Sequence, residues 1–342
     1  MTAEIGVGVL GCGRIGRIHL ANITSSVPEL AVRTVHDVVP EAAMSAAEEY
    51  GIPRVAGDVF EVLTAPDVDA VLICTSTDTH ATLIADAAAA GRAVFCEKPI
   101  AMDLETIDAA LAAVERAGVA LQVGFNRRFD LPFRTIRDQV AAGAVGQVET
   151  VRITSRDPEP PPLDYVRRSG GIFMDMMIHD FDMIRYLTGS EIVEVNATGA
   201  VLVDAGFAEA GDVDTAIVTM TLANGALGVI ENSRRAVYGY DQRVEVFGSE
   251  GMLSNPNAVV HPVRRTGARG SWGAPGYPGF VARYADSYVV EMKEFAAALL
   301  NGTPTPVTGA DGRAPCVAGL AAGLSLGEHR PVDLTEIDPR SD

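Results

Sequence analysis

The sequence predicts two domains: an α/β Rossmann domain with a doubly wound parallel sheet, and an α+β domain with a largely antiparallel open sheet. Three observations predict this class. The chain has 342 residues, 48% of them hydrophobic, which suits two cores. Up to residue 124, strand and helix patterns alternate, as they do in parallel sheets. After residue 125, several short strands follow one another between turn residues. We therefore expect domains at residues 1–124 and 125–342.

The first domain contains five short apolar runs that predict buried strands. They lie at residues 5–10, 31–36, 68–74, 93–96 and 120–123. Continuous apolar runs of this length are typical of strands covered by helices on both faces. Helical patterns at 17–23, 81–90 and 104–117 supply this cover.

A glycine-rich segment follows the first strand and opens the first helix. It has the spacing G-x-G-x-x-G, which lets the backbone approach a pyrophosphate at a helix N-terminus. Asp37 ends the second strand, 21 residues after Gly16 (37 − 16), near the position of an acid that binds the ribose 2′-OH. No basic residue follows Asp37 to hold the extra phosphate of NADP, so the sequence favours NAD as the cofactor. The alternative is that Asp37 is an ordinary acidic residue in a turn. The expected cofactor residues here are Gly11, Gly13, Arg14, Ile15, Gly16 and Asp37.

Two further segments follow strands at the predicted carboxyl edge, where α/β proteins bind ligands. Thr75, Ser76 and His80 come after the third strand, and Glu97-Lys98-Pro99 after the fourth. Pro99 restricts Lys98 to an extended conformation and holds it at the end of a buried strand. We expect contacts with the cofactor from Thr75, Ser76, His80, Glu97 and Lys98. The alternative for Lys98 is a surface lysine in a turn.

The second domain is organised around a predicted helix after Gly170 and Gly171. On a continuous helix Asp175, His179 and Asp182 would share one face, at positions i, i+4 and i+7. Histidine suits proton transfer near neutral pH, and a carboxylate one turn away can orient it. The alternative is a hydrogen-bonded core histidine. Three polar groups among apolar neighbours favour the functional interpretation, because burying them without a use is unfavourable.

The other elements of the second domain follow from their patterns. Strands are predicted at 148–155, 192–200, 213–222, 226–233, 243–247 and 330–334, and helices at 131–142, 284–300 and 311–326. Residues 156–162 form a stiff proline-rich loop. Residues 264–279 are rich in Gly and Pro and include Trp272, which predicts a surface loop.

Composition excludes several classes of partner. The formal net charge is −18, which argues against nucleic acid or an anionic membrane surface. No apolar run is long enough for a membrane span, and the start of the chain has no basic segment followed by an apolar one.

The four cysteines form no C-x-x-C pair, which favours reduced thiols and a cytoplasmic location. No third ligand accompanies Asp175 and His179, so we expect no metal.

Several motifs in this order resemble the glucose–fructose oxidoreductase / inositol dehydrogenase family (Gfo/Idh/MocA). They are the glycine-rich segment 11–16, Glu97-Lys98-Pro99, residues 124–129 and Asp175-x-x-x-His179, with 307–313 and 330–332 near the end. Within the family, residues 155–158 and 170–183 look most like inositol 2-dehydrogenases. The resemblance covers nearly the whole chain.

The resemblance implies an NAD-dependent dehydrogenase that oxidises myo-inositol to 2-keto-myo-inositol. It implies Lys98, Asp175 and His179 as the catalytic set: His179 as general base, Asp175 supporting it or holding a neighbouring hydroxyl, and Lys98 contacting the substrate hydroxyl and the nicotinamide ribose. Family members are commonly tetramers or dimers formed through the sheet of the second domain. Residues matching the polyol pocket are Asn126, Arg127, Asp157, Asp175, His179 and Tyr238.

One departure from the family pattern concerns substrate choice. Many inositol dehydrogenases have Met where this chain has Asn126, which leaves the isomer preference open. The alternatives are an NAD(P)-dependent dehydrogenase of another inositol isomer, polyol or sugar, and a sensor that binds NAD and a sugar without turnover. A sensor would have no reason to keep Lys98, Asp175 and His179 together, so we favour the enzyme.

Overall fold

The computed structural model describes residues 4–340, which form two compact units. One comprises the chain up to Phe129 together with Asp286–Cys316; the other comprises Asp130–Ala285 and the chain after Cys316. This division differs from the predicted continuous second domain, because residues 286–316 return to the first unit. Met292, Phe295 and Ala296 share a buried cluster with the first sheet. An amphipathic helical pattern does not specify which sheet the helix will cover.

The strands lie close to their predicted positions, mostly within two residues at each end. In chain order they are β1 (Ile5–Leu10), β2 (Leu30–His36), β3 (Ala70–Ile73), β4 (Ala93–Glu97), β5 (Leu121–Gly124), β6 (Val148–Arg156), β7 (Ile192–Ala200), β8 (Thr215–Leu222), β9 (Leu227–Ser233), β10 (Asp241–Gly248), β11 (Gly251–Asn255), β12 (Arg265–Gly267), β13 (Gly270–Trp272) and β14 (Val332–Asp333).

The described α-helices range in length from four to 20 residues. In chain order they are α1 (Arg14–Ser26), α2 (Pro40–Tyr50), α3 (Val59–Thr64), α4 (Thr77–Ala89), α5 (Leu104–Ala117), α6 (Leu131–Ala141), α7 (Leu163–Val166), α8 (Gly171–Asp175), α9 (Ile178–Thr188), α10 (Gly206–Glu209), α11 (Phe280–Arg283), α12 (Ala285–Asn301) and α13 (Gly309–Glu328). Two 3₁₀ turns, Asn126–Phe129 and Leu334–Glu336, complete the described elements.

The first unit contains a five-stranded sheet of order β2-β1-β3-β4-β5, parallel throughout. Strands β1, β3, β4 and β5 are almost entirely buried, as their continuous apolar sequences predicted, whereas β2 at the sheet edge has partly exposed residues. The strand order reverses between β1 and β3, which creates a crevice at the carboxyl edge. The segments after β1, β3, β4 and β5 all emerge at this edge. The predicted doubly wound parallel sheet is confirmed.

The second unit contains a seven-stranded sheet of order β11-β10-β6-β9-β8-β7-β14. All neighbouring strands are antiparallel except β6 and β9, which pair in parallel. Alternate residues of β8 and β9 are buried, which is the period expected when one face of a sheet is covered. Helix α9 packs on β6 at this covered face. The predicted α+β architecture is confirmed.

Two local predictions differ from the structure. The helix predicted after Gly171 is interrupted, because the Met177 N–H bonds to the carbonyl of Ile172, five residues earlier, at 2.8 Å. Asp182 is fully buried, whereas Asp175 and His179 are partly exposed, so the three do not share one environment. The loop predicted at 264–279 includes the exposed hairpin β12–β13.

No helix within residues 4–340 has the length and apolar character that crossing a membrane requires.

Candidate active site

The glycine-rich turn of the first unit has the geometry of a dinucleotide-binding loop. Gly11 adopts φ +94°, and a Cβ there would lie 2.6 Å from the carbonyl carbon of Cys74. A Cβ on Gly16 would lie 2.0 Å from the Gly11 carbonyl oxygen. These two glycines are therefore required by close packing of the turn.

Gly13 differs, because a Cβ built on it would meet nothing within 4 Å. Helix α1 starts directly after Gly13 and has no side chain capping its first N–H groups. An open backbone surface at an uncapped helix N-terminus fits a phosphate group. The loop therefore fits the pyrophosphate of NAD, with Arg14 and Ile15 in the first helical turn.

Asp37 lies beside this loop, as the spacing predicted. Its Oδ2 accepts a hydrogen bond from the Cys12 N–H at 2.7 Å, and its Oδ1 accepts one from the Val39 N–H at 2.8 Å. These bonds fix a negative charge at the end of β2. Val38 and Val39 are exposed next to it and offer no positive charge. The arrangement disfavours a 2′-phosphate and leaves room for a ribose hydroxyl.

The segment after β3 is tied to the segment after β4 by His80. This ring is buried, with Nδ1 2.8 Å from the carbonyl oxygen of Pro99 and Nε2 3.1 Å from that of Thr75. Burial lowers the pKa of His80, so the neutral ring donates to one carbonyl, and the shorter contact is with Pro99. The His80 ring thus lies between the carbonyls of Thr75 and Pro99, and its direct contact with the cofactor stays a prediction.

Lys98 follows β4 at the carboxyl edge, in a cis peptide bond with Pro99. Glu97, the last residue of β4, is buried and its Oε1 lies 2.7 Å from Nε2 of His19. Glu97 therefore supports the strand end from inside the unit. This hydrogen bond does not test the predicted contact of Glu97 with the cofactor, which stays a prediction.

Asn126 and Arg127 follow β5 in the 3₁₀ turn at the same edge of the sheet. Both are buried. The next residue, Arg128, lies 3.0 Å from Asp311, which fixes the turn to the start of α13. The first unit thus brings the predicted residues of this edge together; the roles of Asn126 and Arg127 in substrate binding stay predictions.

In the second unit, Asp175 ends α8 and His179 lies in the first turn of α9. Gly170 and Gly171 precede them with φ +81° and +75°. A Cβ on Gly171 would lie 2.8 Å from Oδ1 of Asp212, which also accepts the Ile172 N–H at 3.1 Å. The two glycines let the chain turn against this carboxylate, so α8 begins at a defined place.

Arg234 is the residue of this site that sequence reasoning missed. Its guanidinium is 3% exposed, with Nη2 2.9 Å from Oδ2 of Asp175 and Nη1 3.4 Å from Oδ2 of Asp157. Tyr165 donates its hydroxyl to Oδ1 of Asp175 at 2.8 Å. A signal was available: Arg234 continues the inward positions 228, 230 and 232 of β9, where a charged residue requires a buried partner.

Three carboxylates act on the pKa of the Arg234 guanidinium. Burial acts to lower the pKa of the guanidinium, but the charges of Asp175, Asp157 and Asp212 outweigh it and raise that pKa. Burial raises the pKa of Asp212 above its ordinary value. Asp157 and Asp175 therefore share one buried cation. Carboxylates held this way can accept hydrogen bonds from hydroxyl groups.

Tyr238 occupies a different cluster of the same unit. Its hydroxyl donates to Oδ2 of Asp241 at 2.7 Å and accepts from Nη1 of Arg156 at 2.6 Å. Arg156 also pairs with Glu231. Tyr238 is half exposed, and its role in substrate binding stays a prediction. Among residues 4–340, no three His, Cys, Asp or Glu side chains form a group that could hold a metal ion.

Comparison with known proteins gives two family matches that together span most of the chain. A model described as "Oxidoreductase family, NAD-binding Rossmann fold" matches residues 5–125, and one described as "GFO/IDH/MocA C-terminal domain" matches residues 133–254. The chain belongs to the Gfo/Idh/MocA oxidoreductase family. This confirms the resemblance found in the sequence, and with it an oxidoreductase that uses NAD.

Curated relatives of this Gfo/Idh/MocA oxidoreductase match it over nearly their whole length. It is 46% identical to the myo-inositol 2-dehydrogenase of Thermotoga maritima, over 97% of this chain and 99% of the relative. It is 45% identical to the inositol 2-dehydrogenase of Rhizobium meliloti, over 96% and 98%. Among solved structures, the scyllo-inositol dehydrogenase of Lactobacillus casei with bound NAD(H) and scyllo-inositol aligns with a TM-score of 0.91, 30% identity, and 97% and 99% coverage.

Proposed function

We propose that this protein oxidises a cyclic polyol with NAD, and that its substrate is myo-inositol, which becomes 2-keto-myo-inositol. The observation that carries this proposal is the pair of carboxylates, Asp157 and Asp175, held by the buried Arg234. Two fixed acceptors suit a substrate with neighbouring hydroxyl groups. The three relatives described above are named inositol dehydrogenases, which supports the same substrate class.

The proposed chemistry gives each candidate residue a separate role. NAD, when bound, accepts the hydride and supplies the redox chemistry. The glycine-rich loop and Asp37 hold it, with Thr75, Ser76 and Lys98 at the same sheet edge. His179 takes the hydroxyl proton as general base, which contributes about 10²–10⁴-fold.

Lys98 and Asp175 complete the proposed set. A protonated Lys98 stabilises the alkoxide that develops as the proton leaves, an electrostatic effect of about 3 kcal/mol in comparable sites. Asp175, held by Arg234 and Tyr165, accepts a hydrogen bond from a hydroxyl next to the reacting carbon or orients His179. Asn126, Arg127, Asp157 and Tyr238 are proposed to bind the other hydroxyls.

We further propose that the protein is a homo-oligomer, a tetramer or dimer, formed through the uncovered face of the second sheet. Exposed apolar side chains on this face support the proposal; they are Ile217, Leu227, Phe247 and Met252. Apolar residues on an open sheet face favour association with another surface. The four buried, free cysteines support a reducing, cytoplasmic location.

The experiment that tests the substrate is a panel of alcohols assayed for NADH formation. It includes myo-, scyllo- and chiro-inositol, glucose and several aldoses, each with NAD and NADP. We expect myo-inositol to give the highest kcat/KM. A higher value for scyllo-inositol or a sugar would correct the substrate, and NAD binding without turnover of any polyol would favour a sensor.

A further inference from the structure

The first unit buries a cluster of polar side chains next to β4, the strand that precedes Lys98. His19, Gln122 and Glu291 are fully buried and Glu97 is 8% exposed. They belong to α1, β5, α12 and β4. Such a cluster in an apolar core requires a complete set of hydrogen bonds.

The sheet register places two of these side chains on one face. Gln122 pairs with Phe95, and Glu97 pairs with Gly124. Because side chains alternate along a strand, Phe95 and Glu97 point to the same side. A Cβ on Gly124 would lie 3.0 Å from the Glu97 carboxyl group, so Gly124 provides the space for this side chain.

Helix α12 covers the same face and carries Glu291 onto it. Its Phe295 ring lies 5.9 Å from that of Phe95, and its Tyr288 ring lies 5.7 Å from the imidazole of His19, centroid to centroid. Glu291 is three residues after Tyr288 and four before Phe295, so it lies on the same side of the helix. Its carboxyl group therefore faces the cluster.

The hydrogen bonds of the cluster leave a specific shortage. His19 Nε2 lies 2.7 Å from Glu97 Oε1, so Nε2 carries the hydrogen and Nδ1 of the neutral ring is an acceptor. Within residues 4–340, His19 Nδ1, Gln122 Oε1 and both carboxyl oxygens of Glu291 have no hydrogen-bond partner. With Glu291 ionised and His19 neutral, all four atoms are acceptors. The Gln122 side-chain N–H donates to the backbone carbonyl of Glu291 at 3.4 Å, so a proton on Glu291 supplies the donor that Nδ1 of His19 lacks.

We propose that Glu291 keeps its proton in the folded enzyme and donates it toward Nδ1 of His19 through one buried water. His19 then donates Nε2–H to Glu97 and fixes the residue that precedes Lys98. Glu291 and His19 are thus positioning residues for Lys98. The consequence for Lys98 rests on the proposed function, whereas the proton on Glu291 does not.

The electrostatic surroundings support a neutral Glu291. Burial and then the charge of Glu97 raise its pKa well above the ordinary value. The titratable groups around it are His19 from α1, Tyr288 from its own helix, Glu97 from β4 and Cys74, which follows β3. Burial also raises the pKa of the Cys74 thiol, so it stays uncharged. Glu97 is the negative charge that Glu291 would otherwise face.

The first test is the pH dependence of stability. Unfolded Glu291 loses its proton near pH 4.3, whereas the folded form keeps it to a higher pH. Between these two pKa values the unfolding equilibrium constant should rise about tenfold per pH unit from this group alone. Glu291→Gln should remove that contribution, and the exposed control Glu115→Gln should not. Equal pH slopes for wild type and Glu291→Gln would overturn the proposal.

An independent reading is the infrared carbonyl stretch of a protonated carboxylic acid at pH 7. It should be present in the wild type and lost in Glu291→Gln, with Glu115→Gln unchanged. Its absence from the wild type would show an ionised Glu291. Neither this reading nor the stability slope uses a substrate, so both remain decisive if no polyol is oxidised and the proposed function fails.

The second test concerns Lys98. Glutamine can still donate to His19 Nδ1, whereas leucine, of similar size, removes the donor. We expect Glu291→Gln to keep kcat and Glu291→Leu to lower it about tenfold or more through misplacement of Lys98, at nearly unchanged affinity for NAD. Equal kcat in the two variants would overturn the positioning role. If Glu291→Leu does not fold, Glu291→Gln against His19→Phe, which removes both ring nitrogens, gives the same comparison.

Discussion

Arg234 and Asp175 form a buried ion pair, with Nη2 of the guanidinium 2.9 Å from Oδ2 of the carboxylate. Arg234 also approaches Asp157 at 3.4 Å. The ion pair joins the residue that follows β9 to the last residue of α8. The Arg234 guanidinium thus lies next to both Asp157 and Asp175, two candidate substrate-binding residues. The charge of Asp175 is therefore balanced by Arg234, whatever its proposed role beside His179.

We predict that Arg234→Gln lowers kcat/KM for the polyol more than tenfold and destabilises the fold by about 3 kcal/mol. Removing one partner of a buried ion pair leaves the remaining carboxylates uncompensated. Steady-state kinetics and urea unfolding of the same protein measure the two effects.

Arg234→Lys is the matched control, because it keeps the charge and loses the planar fork. It should be intermediate in both measurements. Wild-type kinetics in Arg234→Gln would show that Asp157 and Asp175 do not depend on this pair.

The sequence predicted the fold well because its strongest signals are local. Apolar runs and turn glycines located nearly every strand. Pairing partners across long stretches of chain have no such signal. Arg234 lies 59 residues after Asp175 (234 − 175), and Glu291 far from Glu97, so neither contact follows from spacing.

The interruption between α8 and α9 has a similar cause. Met176 and Met177 keep helical dihedral angles, so propensity alone predicts a continuous helix through Asp175 and His179. Ile172, Met176 and Met177 are all buried at this point, so their side chains pack against the rest of the unit. Tertiary contacts of this kind are absent from a helical periodicity.

We predict a preference for NAD over NADP of at least tenfold in kcat/KM. Asp37 is fixed beside the glycine-rich loop by the N–H groups of Cys12 and Val39, and its charge would repel a 2′-phosphate. Asp37→Ser should narrow the preference mainly by weakening NAD. Kinetics with both cofactors and one good polyol decide the matter, and equal efficiency in the wild type would contradict the prediction.

We predict that Lys98→Ala abolishes turnover while NAD affinity changes by less than about threefold, since the alkoxide loses its stabilising charge. The chain has one other lysine, Lys293, which is exposed on α12 and gives the matched control Lys293→Ala. Turnover and a fluorescence titration with NADH should be measured on both variants. Near-native activity of Lys98→Ala would reduce this lysine to a turn residue.

The last prediction tests His179 as the general base. Oxidation requires a neutral imidazole, so kcat/KM should rise with pH through one ionisation in the wild type. In His179→Ala that limb should disappear and kcat/KM should fall by about 10²–10⁴-fold, or about 3–5 kcal/mol of transition-state stabilisation. The exposed His261 gives the control His261→Ala, which should keep the wild-type profile.

Asp175→Asn should lower the rate less than His179→Ala, although it also removes a partner of Arg234 and should reduce stability. A folded His179→Ala enzyme that binds NAD and keeps the wild-type rate and pH profile would make this histidine structural and require another base.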